Sequence, residues 1–192
     1  MSYSKSILIK MVILIALFIG TLTLAGSAGI KEAFAEETSG SCGEKATWSY
    51  NVSKNELDIS GSGAISDFSD PLKTPWHAYA KSAKTVIIEE GITAIGQNAF
   101  HGLEAMTKIS IPTTLEKSSA GAFSLCKKLT NVDITDLAAW CEIEFATEES
   151  NPLYFAQYLR LDGKKVVSLE IPEGVTKIGN YAFVANPKPQ PI

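Results

Sequence analysis

The sequence predicts a β-rich solenoid with short helical turns, preceded by a β-hairpin and a short helix. Three observations support this fold class. An apolar pattern recurs every 23 residues, apolar and polar residues alternate in a short β-branched stretch of each unit, and an Ala-Phe pair ends the pattern at a fixed place. A unit of this length is too short for a pair of helices and too long for a heptad. It fits one coil of a solenoid, whose apolar face is buried only by the next coil.

The repeat is measured from equivalent isoleucines. Ile88, Ile111 and Ile134 follow one another at intervals of 23 residues, whereas Ile171 comes 37 residues after Ile134. That last interval equals one unit with an insertion of 14 residues. We therefore predict about four repeats between residues 85 and 183, of which one carries the insertion, followed by a Pro-rich tail at 184–192. The tail is interpreted as a linker or as the end of a truncated or fragmentary product.

Each unit opens with a predicted strand that has one inward and one outward face. The inward pairs are Val86/Ile88, Ile109/Ile111, Val132/Ile134 and Leu169/Ile171. Between them stand the residues predicted to face outward in one row across a sheet, which are Ile87, Ser110, Asp133 and Glu170. Flanking rows are predicted to hold Thr85, Lys108, Asn131 and Ser168, and then Glu89 and Thr135.

The second half of each unit predicts a column of aromatic rings. Phe100, Phe123 and Phe183 occupy one register, so we expect them to point inward and stack. Gly96 and Gly179 precede them and are expected to allow a tight turn. The second copy has Ser118-Ser119 where the pattern has an apolar residue and Gly. That coil is therefore expected to be looser.

Residues 36–84 form a predicted N-terminal cap module. Two alternating stretches, 47–52 and 56–60, flank Ser53-Lys54-Asn55 and indicate a hairpin. A short helix is predicted with Thr74 as N-cap and Pro75 in the first position. Its buried face would hold Trp76, Tyr79 and Ala83.

Residues 1–35 have the three parts of a secretory signal peptide, with predicted cleavage after Ala35. Lys5 and Lys10 precede an uncharged apolar run, and Ala33-Phe34-Ala35 follows it. The alternative is a retained membrane anchor, but the apolar run is short for a spanning helix, which needs about 20 apolar residues. Removal of this segment changes the net charge from −4 to −6, because it contains three lysines and one glutamate. An acidic exported chain argues against nucleic acid and against docking on anionic lipid. After signal cleavage, we expect no membrane insertion.

Catalytic and metal-binding patterns are weak. Cys42, Cys126 and Cys141 are an odd number without zinc-site spacing, and we expect buried thiols. The sequence has only two histidines, His77 and His101, and no GxSxG motif. We expect neither an enzyme nor a bound cofactor or metal.

Three segments carry a family resemblance, and they are EEGITAIGQNAF, IPTTLEK with AGAFSLCKKLTNVDI, and IPEGVTKIGNYAF. They closely resemble the BspA-like leucine-rich-repeat family of bacterial surface proteins. The resemblance spans roughly residues 40–183 and implies a leucine-rich-repeat solenoid, secreted or attached to the cell surface. It also implies a binding role, in attachment to host proteins, matrix or other bacteria, without common catalytic residues.

Two classes of function remain open. The first is an adhesion or protein-interaction module that binds through the row Ile87, Ser110, Asp133 and Glu170, with the loop at 151–155 as a competing site. The second is a carbohydrate-binding or accessory module of a larger surface protein or enzyme, with Trp48 or Trp76 as stacking platforms. The oligomeric state does not follow from the sequence.

Overall fold

The computed structural model describes residues 38–184; the predicted signal peptide and residues 185–192 of the tail lie outside this range. The described chain forms eleven short strands: β1 (Ser39–Ser41), β2 (Lys45–Asn51), β3 (Glu56–Ala64), β4 (Thr85–Ile88), β5 (Ile92–Ile95), β6 (Lys108–Ser110), β7 (Lys117–Ser118), β8 (Asn131–Ile134), β9 (Glu144–Phe145), β10 (Tyr158–Leu161) and β11 (Lys164–Lys165). One α-helix, α1, spans Leu137–Glu142. Four 3₁₀ helices span Pro71–Lys73, His77–Tyr79, Glu148–Ser150 and Pro152–Tyr154.

The strands form two parallel ladders. In the first ladder, β3, β4, β6, β8 and β10 pair in that order, with β2 antiparallel on β3 and β11 antiparallel on β10. In the second ladder, the end of β3 pairs with β5, followed by β7 and β9. Val86 lies opposite Ile109, and Ile109 lies opposite Val132. Paired residues of β4, β6 and β8 are therefore 23 positions apart, which is the period predicted from the sequence.

The N-terminal hairpin is continuous with the coils. Strands β2 and β3 pair antiparallel around a turn in which Asn55 has a φ of 54°, and β3 then pairs in parallel with β4. The predicted helix after Thr74 is wrong in kind. Thr74 is extended, as an N-cap residue normally is, but the helix that follows is a single 3₁₀ turn at His77–Tyr79 and not an α-helix.

The core contains the predicted aromatic column, but the column gains Trp76 before Phe100 and lacks Phe183 at its other end. The rings of Phe100 and Phe123 stack with centroids 5.5 Å apart, and Trp76 stacks on Phe100 at 5.6 Å. The inserted segment follows Phe123 in the stack. The Phe123 N–H donates to the Glu149 carbonyl of that segment at 3.2 Å. Within residues 38–184, Phe183 makes no ring contact and is only partly buried. Its predicted place in the column is wrong.

The last strand of the first ladder also differs from the prediction. Leu159 of β10 lies opposite Val132, 27 positions after it, whereas Leu169 and Ile171 are 44% and 41% exposed and lie outside the strands. The cause is a turn at Asp162 and Gly163, which folds β11 back on β10 and occupies that edge. Part of the extra length in the preceding coil is α1, which lies between β8 and β9.

The repeated glycines are required for a reason other than the expected turn. A Cβ on Gly96 would lie 2.1 Å from the Ser66 carbonyl oxygen, and one on Gly179 would lie 2.0 Å from that of Ile143. At Gly96 and Gly179, neighbouring coils thus approach too closely for a side chain.

The serine pair of the second copy does not loosen its coil. Ser118 is buried, and its hydroxyl donates to the Ser150 carbonyl at 2.8 Å. The N–H of Ser119 donates to the Ile95 carbonyl at 2.9 Å. Both serines are therefore hydrogen-bonded to neighbouring coils, and the expectation of a looser coil is wrong.

The aromatic column generates a stability prediction. We expect Phe123→Ala to lower the free energy of unfolding by about 3–5 kcal/mol, because it removes a fully buried ring and its stacking on Phe100. Phe183→Ala is the matched control and should cost clearly less, since that ring is partly exposed. Urea denaturation followed by circular dichroism measures both. Equal, negligible losses would contradict the column.

Candidate binding face

The outward face of the first ladder brings three of the four predicted site residues together. Ile87, Ser110 and Asp133 are direct cross-strand neighbours. Glu170 does not join them, because it lies exposed outside the strands. The register places Arg160 beside Asp133 instead, and Asp58 precedes Ile87 at the other end. We call the outward row Asp58, Ile87, Ser110, Asp133 and Arg160 the binding row.

A second row runs alongside it. Thr85, Lys108 and Asn131 are neighbours, as predicted. The next member is Tyr158, not the predicted Ser168, for the same reason that Arg160 replaces Glu170. Glu89 and Thr135 follow their strands and are exposed. Both rows alternate with buried apolar residues, so their side chains lie on one surface.

At one end of the binding row, Asp133 lies between two cations. Its Oδ2 is 2.7 Å from the Lys108 amine, and its Oδ1 is 3.7 Å from Nε of Arg160. The same Nε donates to the Gly163 carbonyl at 3.1 Å, which fixes the guanidinium beside the row. Within the described range, Asp133 Oδ1 is buried and has no hydrogen-bond donor. Two positive charges thus share one carboxylate here.

The cationic end extends to β11. The Lys165 amine lies 3.7 Å from the centroid of the Tyr158 ring, in the geometry of a cation–π contact. Because Arg160 lies opposite Lys165 in the antiparallel pair, the two basic side chains lie side by side.

The other end of the face is acidic. Burial raises the pKa of Asp58, and the negative charges of Glu56 and Glu89 raise it further, against the opposing effect of Lys54. The Lys54 amine lies 3.5 Å from a Glu56 carboxylate oxygen. Three carboxylates thus face one amine at this end of the sheet.

A further carboxylate couples neighbouring coils at the rim. Glu90 accepts hydrogen bonds from the Thr113 N–H at 2.9 Å, the Thr113 hydroxyl at 2.9 Å and the Thr114 N–H at 3.2 Å. These bonds hold the pKa of Glu90 below its usual value, the Thr113 backbone bond most of all. Glu90 therefore has a structural role that Asp58 lacks.

The competing site, the insertion near 151–155, is partly committed to the fold. Asn151 is fully buried, its Nδ2 donates to the Ala182 carbonyl at 3.1 Å, and its Oδ1 accepts from the Leu153 N–H at 2.8 Å. The Tyr154 and Phe155 rings pack edge to face at 5.0 Å and are partly exposed. These two rings keep part of their surface exposed, although Phe155 also packs against the core.

Other candidate groups are buried or dispersed. Cys42, Cys126 and Cys141 are buried free thiols, and burial raises the pKa of Cys42 to about 11 and that of Cys126 to about 12. Trp48 is 2% exposed and Trp76 is fully buried, so neither ring is available to stack on a sugar. Within residues 38–184, no three His, Cys, Asp or Glu side chains form a possible metal site, and no helix could cross a membrane.

The residues missed from the sequence carry signals of their own. Asp58 stands between Leu57 and Ile59, and Arg160 stands between Leu159 and Leu161, the same alternation that identified Ile87. Asp162-Gly163 is also a hairpin-turn pair. The equally good alternation at Leu169 and Ile171 directed the prediction to the wrong strand.

Comparisons with known proteins agree with this architecture. The family described as BspA type leucine rich repeat region (6 copies) matches residues 76–188. A solved leucine-rich repeat protein from Eubacterium ventriosum is similar in fold, with 23% sequence identity and a TM-score of 0.50. The similarity covers 56% of this chain and only 27% of that protein, so this chain corresponds to about a quarter of its length. No curated protein matches the chain significantly.

The stability contributions of Asp58 and Glu90 are predicted to depend on pH in opposite ways. The folded-state pKa of Asp58 is raised, so its ionisation costs stability as the pH rises through that pKa. Asp58→Asn should therefore raise the urea midpoint at pH 7, and the gain should vanish below the unfolded pKa.

The folded-state pKa of Glu90 is lowered, so its stabilisation is present above the unfolded pKa and lost as the pH falls through the folded one. Glu90→Gln should lower the midpoint at pH 7 and have little effect in acid. Two shifts of the same sign at pH 7 would contradict this assignment.

Proposed function

Because the chain belongs to the BspA-type leucine-rich-repeat family, we propose that it is a secreted or cell-surface, non-catalytic protein that binds other proteins through the outward face of the first ladder. Adhesion to a host or bacterial surface protein is the use that best fits this proposal. The family match to residues 76–188 supports the class, and the open face of the ladder supports the location.

One observation carries the location: the binding row has constant backbone geometry and variable side chains. Strand pairing fixes its members at consecutive positions, yet they are acidic, apolar, hydroxyl-bearing, acidic and basic in turn. Core positions next to them stay aliphatic. Solenoids present such sheets as extended binding surfaces, and a partly exposed isoleucine, Ile87, supplies an apolar contact near the centre.

The N-terminal module fits a capping role in this proposal. Trp48 packs edge-on against Trp76 with centroids 6.1 Å apart, and Tyr50 stacks on Tyr79 at 3.9 Å. Since Trp76 also stacks on Phe100, these rings cover the exposed side of the first coil. A cap of this kind keeps the apolar end of a solenoid from water.

The alternative carbohydrate-binding or accessory role has less support. Its two candidate platforms, Trp48 and Trp76, are committed to the core. Other exposed or partly exposed rings remain as aromatic candidates, such as those of Tyr158 and Tyr181. The partly exposed rings of Tyr154 and Phe155 also compete with the binding row as a contact site for a protein partner.

The location is tested with one substitution on the face and one away from it. Ile87→Lys should reduce binding to a partner found in a panel of immobilised host matrix proteins by at least about tenfold, because it places a charge at the centre of the contact. Leu72→Lys is the matched control: it makes the same type of change at a side chain 63% exposed outside the strands, and it should bind like the parent protein. Surface plasmon resonance measures both.

The result can also refute the location. If folded Ile87→Lys binds a confirmed partner unchanged, the face is not the contact site. Loss of binding in the double variant Tyr154→Ala with Phe155→Ala, but not in Ile87→Lys, would assign the contact to the insertion.

Export is tested separately. We expect signal cleavage after Ala35, so intact-mass and N-terminal peptide analysis of the secreted product should find Glu36 as its first residue. Recovery of the chain from membranes with Met1 still attached would contradict secretion.

A further inference from the structure

Resting on the proposed function, we propose that the partner is a protein whose contact patch is itself dipolar, with a basic group over β3, an apolar contact over Ile87 and an acidic group over β10. This patch would complement the charge order of the binding row.

The order of charge along the row is the first argument. Asp58 and Arg160 occupy its two ends, with Ile87, Ser110 and Asp133 between them. Neighbouring strands lie about 4.8 Å apart, so four intervals separate the ends by about 19 Å. That separation is roughly twice the Debye length at physiological salt, so a partner meets two distinct regions of opposite charge.

The acidic end has negative charge that its neighbours do not neutralise. Lys54 pairs with Glu56, which leaves Asp58 and Glu89 without a cation of their own in the described ion pairs. The raised pKa of Asp58 reports the partial burial of its carboxyl group first and then the repulsion from Glu56 and Glu89. A basic group of a partner would relieve that repulsion, whereas an acidic group would increase it.

The basic end has the opposite imbalance, and its side chains are held in place. Arg160 is fixed by the Gly163 carbonyl, and Lys165 is fixed over the Tyr158 ring. Asp133 neutralises only one of its two neighbours, Lys108 and Arg160. Positioned cations lose little conformational entropy on binding a carboxylate, so this end favours an acidic group.

A partner with one sign of charge does not satisfy both ends. A uniformly anionic surface, such as a nucleic acid or an anionic membrane, would be repelled at β3. A uniformly basic protein would be repelled at β10. Like charges placed against each other cost binding energy and are a source of specificity. The row therefore selects both the composition of the partner patch and its orientation across the strands.

The test uses a blocked probe peptide, Lys-Lys-Ser-Leu-Thr-Ser-Glu-Glu, whose charged ends are about 17 Å apart when extended at about 3.3 Å per residue. The control Lys-Glu-Ser-Leu-Thr-Ser-Lys-Glu has the same composition without separated charges. Titrations at physiological salt, followed by amide chemical shifts of the full-length secreted protein, should show at least about tenfold tighter binding of the first peptide, a difference of about 1.4 kcal/mol.

Two neutralised variants locate the effect. Asp58→Asn with Glu89→Gln should abolish the preference for the lysine end, so that the bipolar peptide binds no better than Ser-Ser-Ser-Leu-Thr-Ser-Glu-Glu. Arg160→Gln with Lys165→Gln should make it bind no better than Lys-Lys-Ser-Leu-Thr-Ser-Ser-Ser. The acid-to-amide changes keep the side-chain shape, whereas Arg160→Gln shortens its side chain and loses the bond to the Gly163 carbonyl, so circular dichroism verifies folding. If a double variant does not fold, the single variants Asp58→Asn and Lys165→Gln replace it.

The outcomes separate this proposal from the proposed function. Equal binding of the bipolar and alternating peptides, or unchanged binding by both folded variants, overturns the dipolar partner. If a matrix protein loses binding to Ile87→Lys but binds both neutralised variants as tightly as the parent, the face is the contact site and the dipolar inference is wrong. If Ile87→Lys binds that protein unchanged, the proposed location itself fails.

Discussion

Hydrogen bonding between neighbouring coils is the constraint on which the rest of this structure depends. Strands of two to four residues, such as β7 and β8, have no partner within their own coil and pair only with the coils before and after. Side chains repeat the same connection: the Thr107 hydroxyl donates to the Lys84 carbonyl, and the Thr130 hydroxyl donates to the Thr107 carbonyl. A coil is therefore stable only in a stack, and the stack imposes the register that aligns every inward and outward residue.

Because the backbone supplies this connection, the outward side chains are free to vary. Asp133 can lie between two cations, and Asp58 can lie near two other carboxylates, without any change in strand pairing. The core has no such freedom. At Gly96 even a methyl group would collide with the preceding coil, and at Ser118 the buried hydroxyl must find an acceptor. Variation of the face and constancy of the core thus have one physical origin.

The regular coils could be predicted from the sequence because their spacing is constant and their inward residues are aliphatic. Val86, Ile109 and Val132 needed no further information, and neither did the outward position of Ile87. The last coil could not be predicted, because Leu159/Leu161 and Leu169/Ile171 offer the same alternation and only the backward turn at Gly163 decides between them. The short α-helix predicted after Thr74 failed for a different reason, since a cap and a proline indicate where a turn begins but not whether it continues as an α-helix.

Two of the buried indole N–H groups, those of Trp76 and Trp140, can report on the stack from within. Trp76 Nε1 donates to the Ala99 carbonyl at 2.9 Å, and Trp140 Nε1 donates to the Ala182 carbonyl at 3.0 Å, so each indole is bonded to a later coil. In an assembly whose coils touch only their neighbours, opening can begin at one end and propagate. Detachment of the final coil would release Trp140 while Trp76 remained bonded. The two indoles thus distinguish unzipping from one end from collapse of the whole domain, and they indicate whether unfolding is a single cooperative event.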